Sequence, residues 1–200
     1  MTYAEVKCPA IILAAGESRR MGTPKALLPF RGRTFLDGLI ARLEAHCHPV
    51  IVVLGHDAGR IRASLTPSVA VALNPDYPLG MLSSLQCGLR ALDPQIHHAV
   101  FTLVDHPDPT DSTVHDVVHA PPAAVVIPRY HGTKGHPVRL SRTVIDELLA
   151  LPPHAKPTDV LYRHLSATHF LDTDDPGVVD DVDDRAAYHE LLARSGQAQL

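Results

Sequence analysis

Arg19, Arg20 and Lys25 sit close together in the stretch Leu13-Ala14-Ala15-Gly16-Glu17-Ser18-Arg19-Arg20-Met21-Gly22-Thr23-Pro24-Lys25. Glycines and cations in such a segment suit a polyphosphate. Gly16 and Gly22 can adopt positive φ and admit a close backbone approach, so successive amide N–H groups can face phosphate oxygens. The stretch matches neither common phosphate signature. There is no G-x-G-x-x-G, and Lys25 comes three places after Gly22, whereas the P-loop lysine follows a glycine directly. A solvated basic turn is the competing reading.

The elements around this loop say where it lies. Pro9-Ala10-Ile11-Ile12-Leu13-Ala14-Ala15 is a short apolar run ended by Gly16, which predicts a strand buried on both faces. Further strands are expected at Val50–Leu54, Ala70–Leu73 and Ala99–Val104. Apolar side chains at three- and four-residue steps predict helices over Thr34–Leu43 and over Ser83–Leu92, with Ser83 as an N-cap of the second. A last amphipathic helix is expected from Arg185 to Leu192. This alternation predicts right-handed crossovers and a mainly parallel sheet with helices on both faces, a Rossmann-like three-layer α/β/α sandwich. Ligands in such folds bind at the carboxyl ends of the strands, where the Gly16 loop begins.

Asp105 closes the fourth apolar run and precedes His106-Pro107, so its carboxylate falls at the same sheet edge. Magnesium favours a few carboxylates together with substrate phosphate oxygens and water, so Asp105 is a candidate ligand. The acidic residues Asp172, Asp174 and Asp175 read as a solvated loop. Phe170-Leu171-Asp172-x-Asp174 also has a superficial likeness to the strand-end D-x-D of haloacid-dehalogenase-type phosphatases, in which the first aspartate is the nucleophile. Most of the 14 histidines fit loops or polar helix faces and show no metal-ligand spacing.

Composition bounds the function classes. The chain has 200 residues, 45% of them hydrophobic, which suits one domain spanning 1–200 with a core over about 8–193. A net charge of −4 offers no basic excess for a nucleic-acid partner. The longest apolar runs fall far short of a membrane span, and residues 1–7 lack a secretory pattern. A cytoplasmic protein with no membrane partner is therefore expected. Cys8, Cys47 and Cys87 are odd in number and widely spaced, which indicates reduced, structural thiols. Pro121-Pro122 and Pro152–Pro157 read as surface connections.

L-A-A-G-x-S-x-R-M-G-x-x-K, followed by Leu27-Leu28-Pro29-Phe30-x-Gly32-x-Thr34-x-Leu36, resembles the opening signature of the MobA-like nucleotidyltransferases, in particular the molybdenum cofactor cytidylyltransferase branch. The resemblance continues through Asn74-Pro75-Asp76-Tyr77-x-x-Gly80-Met81-x-Ser83-Ser84-Leu85 and Leu103-x-Asp105-x-Pro107. It extends to Gly135-His136-Pro137-Val138 and Val182-Asp183-Asp184. The resemblance implies a fold like that of the nucleotide-diphospho-sugar transferases and transfer of a nucleoside monophosphate, with release of pyrophosphate.

By this resemblance, Leu13, Ala14, Ala15, Gly16, Ser18, Gly22, Asn74, Gly80 and Ser84 contact the nucleotide, Arg20 and Lys25 hold the triphosphate, and Asp105 and Asp183 bind Mg²⁺. Asp183 has a competing reading as the N-cap of the last helix. His136 belongs to the acceptor pocket or else stabilises a turn. Alanine at position 15 resembles the CTP-using branch. The implied acceptor is a small phosphate-bearing molecule of molybdopterin type, with a molybdoenzyme or its maturation factor as a further partner. Two departures stand out: His106 replaces a frequent glutamine or methionine, and Asp184-Arg185 replaces the usual Thr-Pro. A sugar-1-phosphate or alcohol-phosphate nucleotidyltransferase and a non-catalytic nucleotide carrier are the alternatives.

Overall fold

The computed structural model describes residues 8–65 and 69–197. The opening segment 1–7, read above for a targeting pattern, lies outside the described residues. In chain order the elements are β1 (Ala10–Ala14), β2 (Pro29–Phe30), β3 (Arg33–Thr34), α1 (Phe35–Glu44), β4 (Val50–Leu54), α2 (Ala58–Ser64), β5 (Ala70–Leu73) and α3 (Met81–Arg90). They continue with β6 (His98–Leu103), α4 (Asp111–His119), β7 (Val125–Tyr130), β8 (Thr133–Lys134), β9 (Val138–Ser141), α5 (Arg142–Ala150), α6 (Pro157–Arg163), β10 (Thr168–Asp172) and α7 (Arg185–Arg194).

The main sheet runs in the order β10-β7-β9-β6-β1-β4-β5, with β8 paired to β7. β1 lies between β4 and β6, parallel to both, and Ile12 is level with Val52 and Thr102. The β4–β5 and β7–β10 pairs are also parallel, whereas β9 runs antiparallel to β6 and β7. All five residues of β1 are buried, as its unbroken apolar run requires of a strand covered on both faces.

Alternate side chains of β1 feed two cores. Ala10, Ile12 and Ala14 pack with Phe35, Leu39, Ile61, Val114, Val117 and Leu191, the face covered by α1, α2, α4 and α7. Ile11 and Leu13 pack with Leu82, Leu85, Leu89, Val144, Leu148 and Val160, the face covered by α3, α5 and α6. The period-two alternation of a strand therefore builds the three layers.

Helix starts depart in detail from the sequence expectation. Thr34 caps α1 by accepting from the Asp37 amide at 3.0 Å. α3 instead starts behind Gly80 at φ 115°, and Ser83 lies inside its first turn, where its hydroxyl donates to the Asp76 and Gly80 carbonyls. Only glycine enters a helix readily from that backbone region, so Gly80 takes the capping place expected of Ser83. The α7 cap is Asp184, which accepts from the Ala187 amide at 3.0 Å, and this frees Asp183 from that role. Pro157 is the first residue of α6 and not part of the preceding connection, in keeping with proline's fitness for a first helical position.

Two further side chains escape sequence reading. Arg139 is buried in β9 and donates to the carbonyls of Val118, Ala120 and Pro121 at 2.7–2.9 Å, which closes the end of α4. Asp175, expected in a solvated loop, is buried and accepts from the Thr110 amide and from the Thr110 and Thr113 hydroxyls at 2.7–2.9 Å. A buried carboxylate needs such donors, and here they tie the acidic loop to the start of α4.

Candidate active site

The loop after β1 is shaped by its own backbone. Ser18 adopts φ 50°, its carbonyl accepts from the amides of Met21 and Gly22, and Gly22 takes φ 68°. The Ser18 hydroxyl accepts from the Lys25 amide at 3.0 Å, which folds the loop back and starts a short 3-10 turn at Lys25–Leu27. Of the two glycines that could adopt positive φ, Gly22 does so and Gly16 does not. A Cβ on Gly16 would meet nothing within 4 Å, and the open space beside it belongs to a cleft.

That cleft measures about 340 Å³, a volume suited to a small ligand. Leu13, Ala14, Ala15, Gly16, Ser18, Lys25, Gly80, Ser84 and Asp105 line it. Tyr77 and Met81 also line it and were not singled out by the sequence reading. Tyr77 lies so close to Gly55 that a Cβ there would come within 2.7 Å of its ring. Asn74 is buried beneath the wall: its amide donates to the hydroxyls of Ser83 and Ser84 at 3.0 Å and its oxygen accepts from the Asp76 amide. It builds the cleft and is not part of its lining.

The cations and carboxylates converge at the edge of this cleft. Lys25 Nζ donates to Asp105 Oδ2 at 3.0 Å and to Asp183 Oδ1 at 2.7 Å, and Arg20 donates to Asp183 Oδ2 at 2.6 Å. Residues some 160 positions apart thus share one charge cluster, pinned by the Val182 amide donating to the Asp105 carbonyl at 2.9 Å. Arg19 turns away and pairs with Glu17.

Burial alone would raise the Asp105 pKa, but the hydrogen bond with His106 and the Lys25 ammonium carry it well below the usual carboxylate range. For Lys25, burial opposes the charge and the two carboxylates outweigh it, so its pKa is raised. The hydrogen bond from Lys25 lowers the pKa of the more exposed Asp183 against the opposing effect of burial, with a further lowering from Arg20. The cluster is ionised at neutral pH.

Asp105, His106 and Asp181 each place a ligating atom so that all of these atoms lie within 4.8 Å of one another. Two carboxylates and an imidazole at that spacing fit one divalent cation. The Asp181 carboxyl is pushed up by burial and by the negative charges of Asp105 and Asp183, which outweigh the opposing pull of His106 and Lys25. Asp181 was not among the sequence candidates. Its signal was the Asp181-Val182-Asp183 alternation: Val182 is buried while the aspartates on either side reach outward.

His136 stands behind the cleft and does not line it. Its ring packs on Phe101 at 5.3 Å and on His106 at 4.7 Å, and its buried Nδ1 has no hydrogen-bond partner among the described residues. Burial, aided by the neighbouring His106, pushes its pKa down to about 3, so the ring is neutral. At the far edge of the sheet Asp172 pairs with Arg129 through both oxygens at 2.9 Å, with β7 and β9 between β10 and the β6 end that lines the cleft. It is remote from the cleft.

The sequence of residues 10–168 matches the model of the MobA-like NTP transferase domain. The chain belongs to that family. It is 29% identical to the molybdenum cofactor cytidylyltransferase of Escherichia coli K12 over 144 residues, 71% of this chain and 74% of the relative. It is also 41% identical to the nicotine blue oxidoreductase of Paenarthrobacter nicotinovorans over 108 residues, 52% of each chain. The crystal structure of Rv0371c from Mycobacterium tuberculosis H37Rv superposes with a TM-score of 0.82 at 29% identity, covering 96% of this chain and all of the other. A structure of Rv0371c in complex with manganese gives 0.76 at 27% identity, covering 94% and 98%. Among the described residues, no helix is long and apolar enough to cross a membrane.

Proposed function

We propose that this protein transfers a cytidylyl group from CTP to a phosphate-bearing acceptor of molybdopterin type and releases pyrophosphate. The observation that carries this reading is the Lys25 ammonium held between Asp105 and Asp183 at the edge of a cleft floored by the Gly16 loop. Family membership and the likeness to a molybdenum cofactor cytidylyltransferase support the reaction class. Alanine at position 15 supports CTP over GTP. The 1–200 chain acts as a single nucleotidyltransferase domain in the cytoplasm.

An ionised acceptor phosphate attacks the α-phosphorus in line, so no general base is needed and catalysis rests on positioning and charge neutralisation. The backbone of Leu13, Ala14, Ala15 and Gly16 faces the nucleotide, and Gly80 and Ser84 line the same cleft. Without ligand, Arg20 and Lys25 are held on Asp183. Phosphate oxygens compete for both cations, which then stabilise the leaving pyrophosphate and leave Asp183 free to join Asp105 as a metal ligand. These carboxylates would hold a Mg²⁺ ion, which would supply further charge neutralisation for the reacting phosphate.

The test is pyrophosphate release from CTP with purified protein and Mg²⁺, comparing a molybdopterin-type acceptor with a panel of sugar 1-phosphates. Release with molybdopterin alone is expected. Release with a sugar phosphate would shift the acceptor class, and nucleotide binding without release under every condition would defeat the enzymatic reading.

A further inference from the structure

The metal site combines a nitrogen donor with its carboxylates, and this feature bears on which cation it holds. His106 is buried, and its Nδ1 lies 3.2 Å from Asp105 Oδ1. Its amide donates to the Leu103 carbonyl at the end of β6, and its ring rests edge-on against His136 at 4.7 Å. The imidazole is thus held in place by backbone and packing and is not free on a surface. Asp181 is brought to the same point because the Val182 amide is bonded to the Asp105 carbonyl. By contrast, both oxygens of Asp183 are engaged by Lys25 and Arg20.

We propose that His106 is a direct metal ligand, completing an Asp105–His106–Asp181 donor set that selects Mn²⁺ over Mg²⁺. This rests on the nucleotidyltransferase reading for its role in turnover, but not for its geometry. Mg²⁺ is bound almost wholly through oxygen in near-ideal octahedral geometry; Mn²⁺ also favours oxygen donors but belongs to the first-row series that accepts nitrogen, so a ring nitrogen costs Mn²⁺ less than Mg²⁺. The three donor atoms already lie within 4.8 Å of one another, close enough to be gathered around a single ion. Asp183 adds to this set once a triphosphate draws its cations away, so Asp105 serves in both the resting and the loaded site.

The experiment measures binding of Mn²⁺ and of Mg²⁺ to the full chain without nucleotide, together with pulsed electron paramagnetic resonance of the Mn²⁺-loaded protein. Expected results are tighter binding of Mn²⁺ and a ¹⁴N coupling from a directly bound nitrogen. In His106→Gln, which offers an amide oxygen in place of the ring, that coupling disappears and the Mn²⁺:Mg²⁺ affinity ratio falls roughly tenfold, a change typical of altered metal-site ligation. His115 and His119, whose rings stack at 4.3 Å on the exposed face of α4, are the competing source of nitrogen, so His115→Ala serves as the control.

Absence of ¹⁴N coupling in the wild type overturns the proposal even if the glutamine variant does not fold. A coupling that survives His106→Gln and is lost in His115→Ala also overturns it, as does an unchanged affinity ratio. None of these readings requires catalysis. Failure of the pyrophosphate assay with these metal results intact would therefore reject the reaction and keep the site.

Discussion

Lys25 is the side chain on which most of the site depends. Only about a tenth of it is exposed, it bridges two carboxylates, and it lines the cleft. Lys25→Ala removes a charged donor from the phosphate path. A hydrogen bond to a charged group contributes about 1.5–3 kcal/mol, so CTP affinity measured by calorimetry should fall about tenfold to a hundredfold. Undiminished affinity would remove Lys25 from the nucleotide site. Among these residues, Lys25 and Asp105 were readable in sequence because a cation after a glycine loop and a carboxylate at a strand end have recognisable surroundings. The burial of Asp175 was not, since one acidic residue in a run resembles the next until the backbone fixes which way each points, and Asp181 left only the trace of its alternation around the apolar Val182.

At the level of elements, the fit of α3 onto the sheet depends on Gly88. A Cβ there would come within 2.6 Å of Ile11 Cγ2 and 2.9 Å of Val53 Cγ2, both in the packed core. Gly88→Ala overpacks this contact and should cost about 1–3 kcal/mol, read as a lower midpoint in denaturant with an unchanged slope. An unaltered midpoint would show that the layer spacing has slack.

The entry to β1 carries a second test. Cys8 is buried beside Cys47, and its thiol is lowered to about 6, chiefly by the hydrogen bond from Cys47, against burial, and with help from His98 and Arg139. An acid whose folded pKa is depressed contributes stability that is fully present above its unfolded value of 9.0 and is lost as pH falls through about 6. The stability of wild type relative to Cys8→Ser should therefore rise between pH 6 and 9, in step with thiolate ultraviolet absorbance. A flat difference would place the proton on Cys8 throughout. The sequence offered only three scattered cysteines, and nothing in their spacing marks Cys8 and Cys47 as neighbours.

Across the whole molecule, ligand and fold are linked, because the site joins the first strand, the β6 end and the segment before α7. A ligand at a hundred times its dissociation constant stabilises by about 2.7 kcal/mol, roughly 5–10 °C in a domain of this size. CTP with Mg²⁺ should raise the melting temperature on that scale and more than GTP, ATP or UTP do. Asp105→Asn should abolish the metal-dependent part. A larger shift with GTP or UTP would overturn the CTP preference, and a full metal-dependent shift in Asp105→Asn would remove Asp105 from the metal site.

The sequence by itself determined the α/β class, the places of β1, β4 and β5, and the glycine- and cation-bearing make-up of the loop after β1. These follow from local chemistry: apolar runs of strand length, and glycines and cations at short spacing. It also placed Asp105 at the working edge, since a residue directly after a buried strand has nowhere else to go. Tertiary structure decided the rest. Only the register of β1 on β6 and the bond from Val182 to Asp105 bring the chain's end to the loop at its start, letting Lys25 and Arg20 meet Asp183. The same placement sets His106 and Asp181 beside Asp105 and puts His136 behind the site. Such long-range juxtapositions depend on how sheets and helices pack, which residue types and spacing do not encode locally.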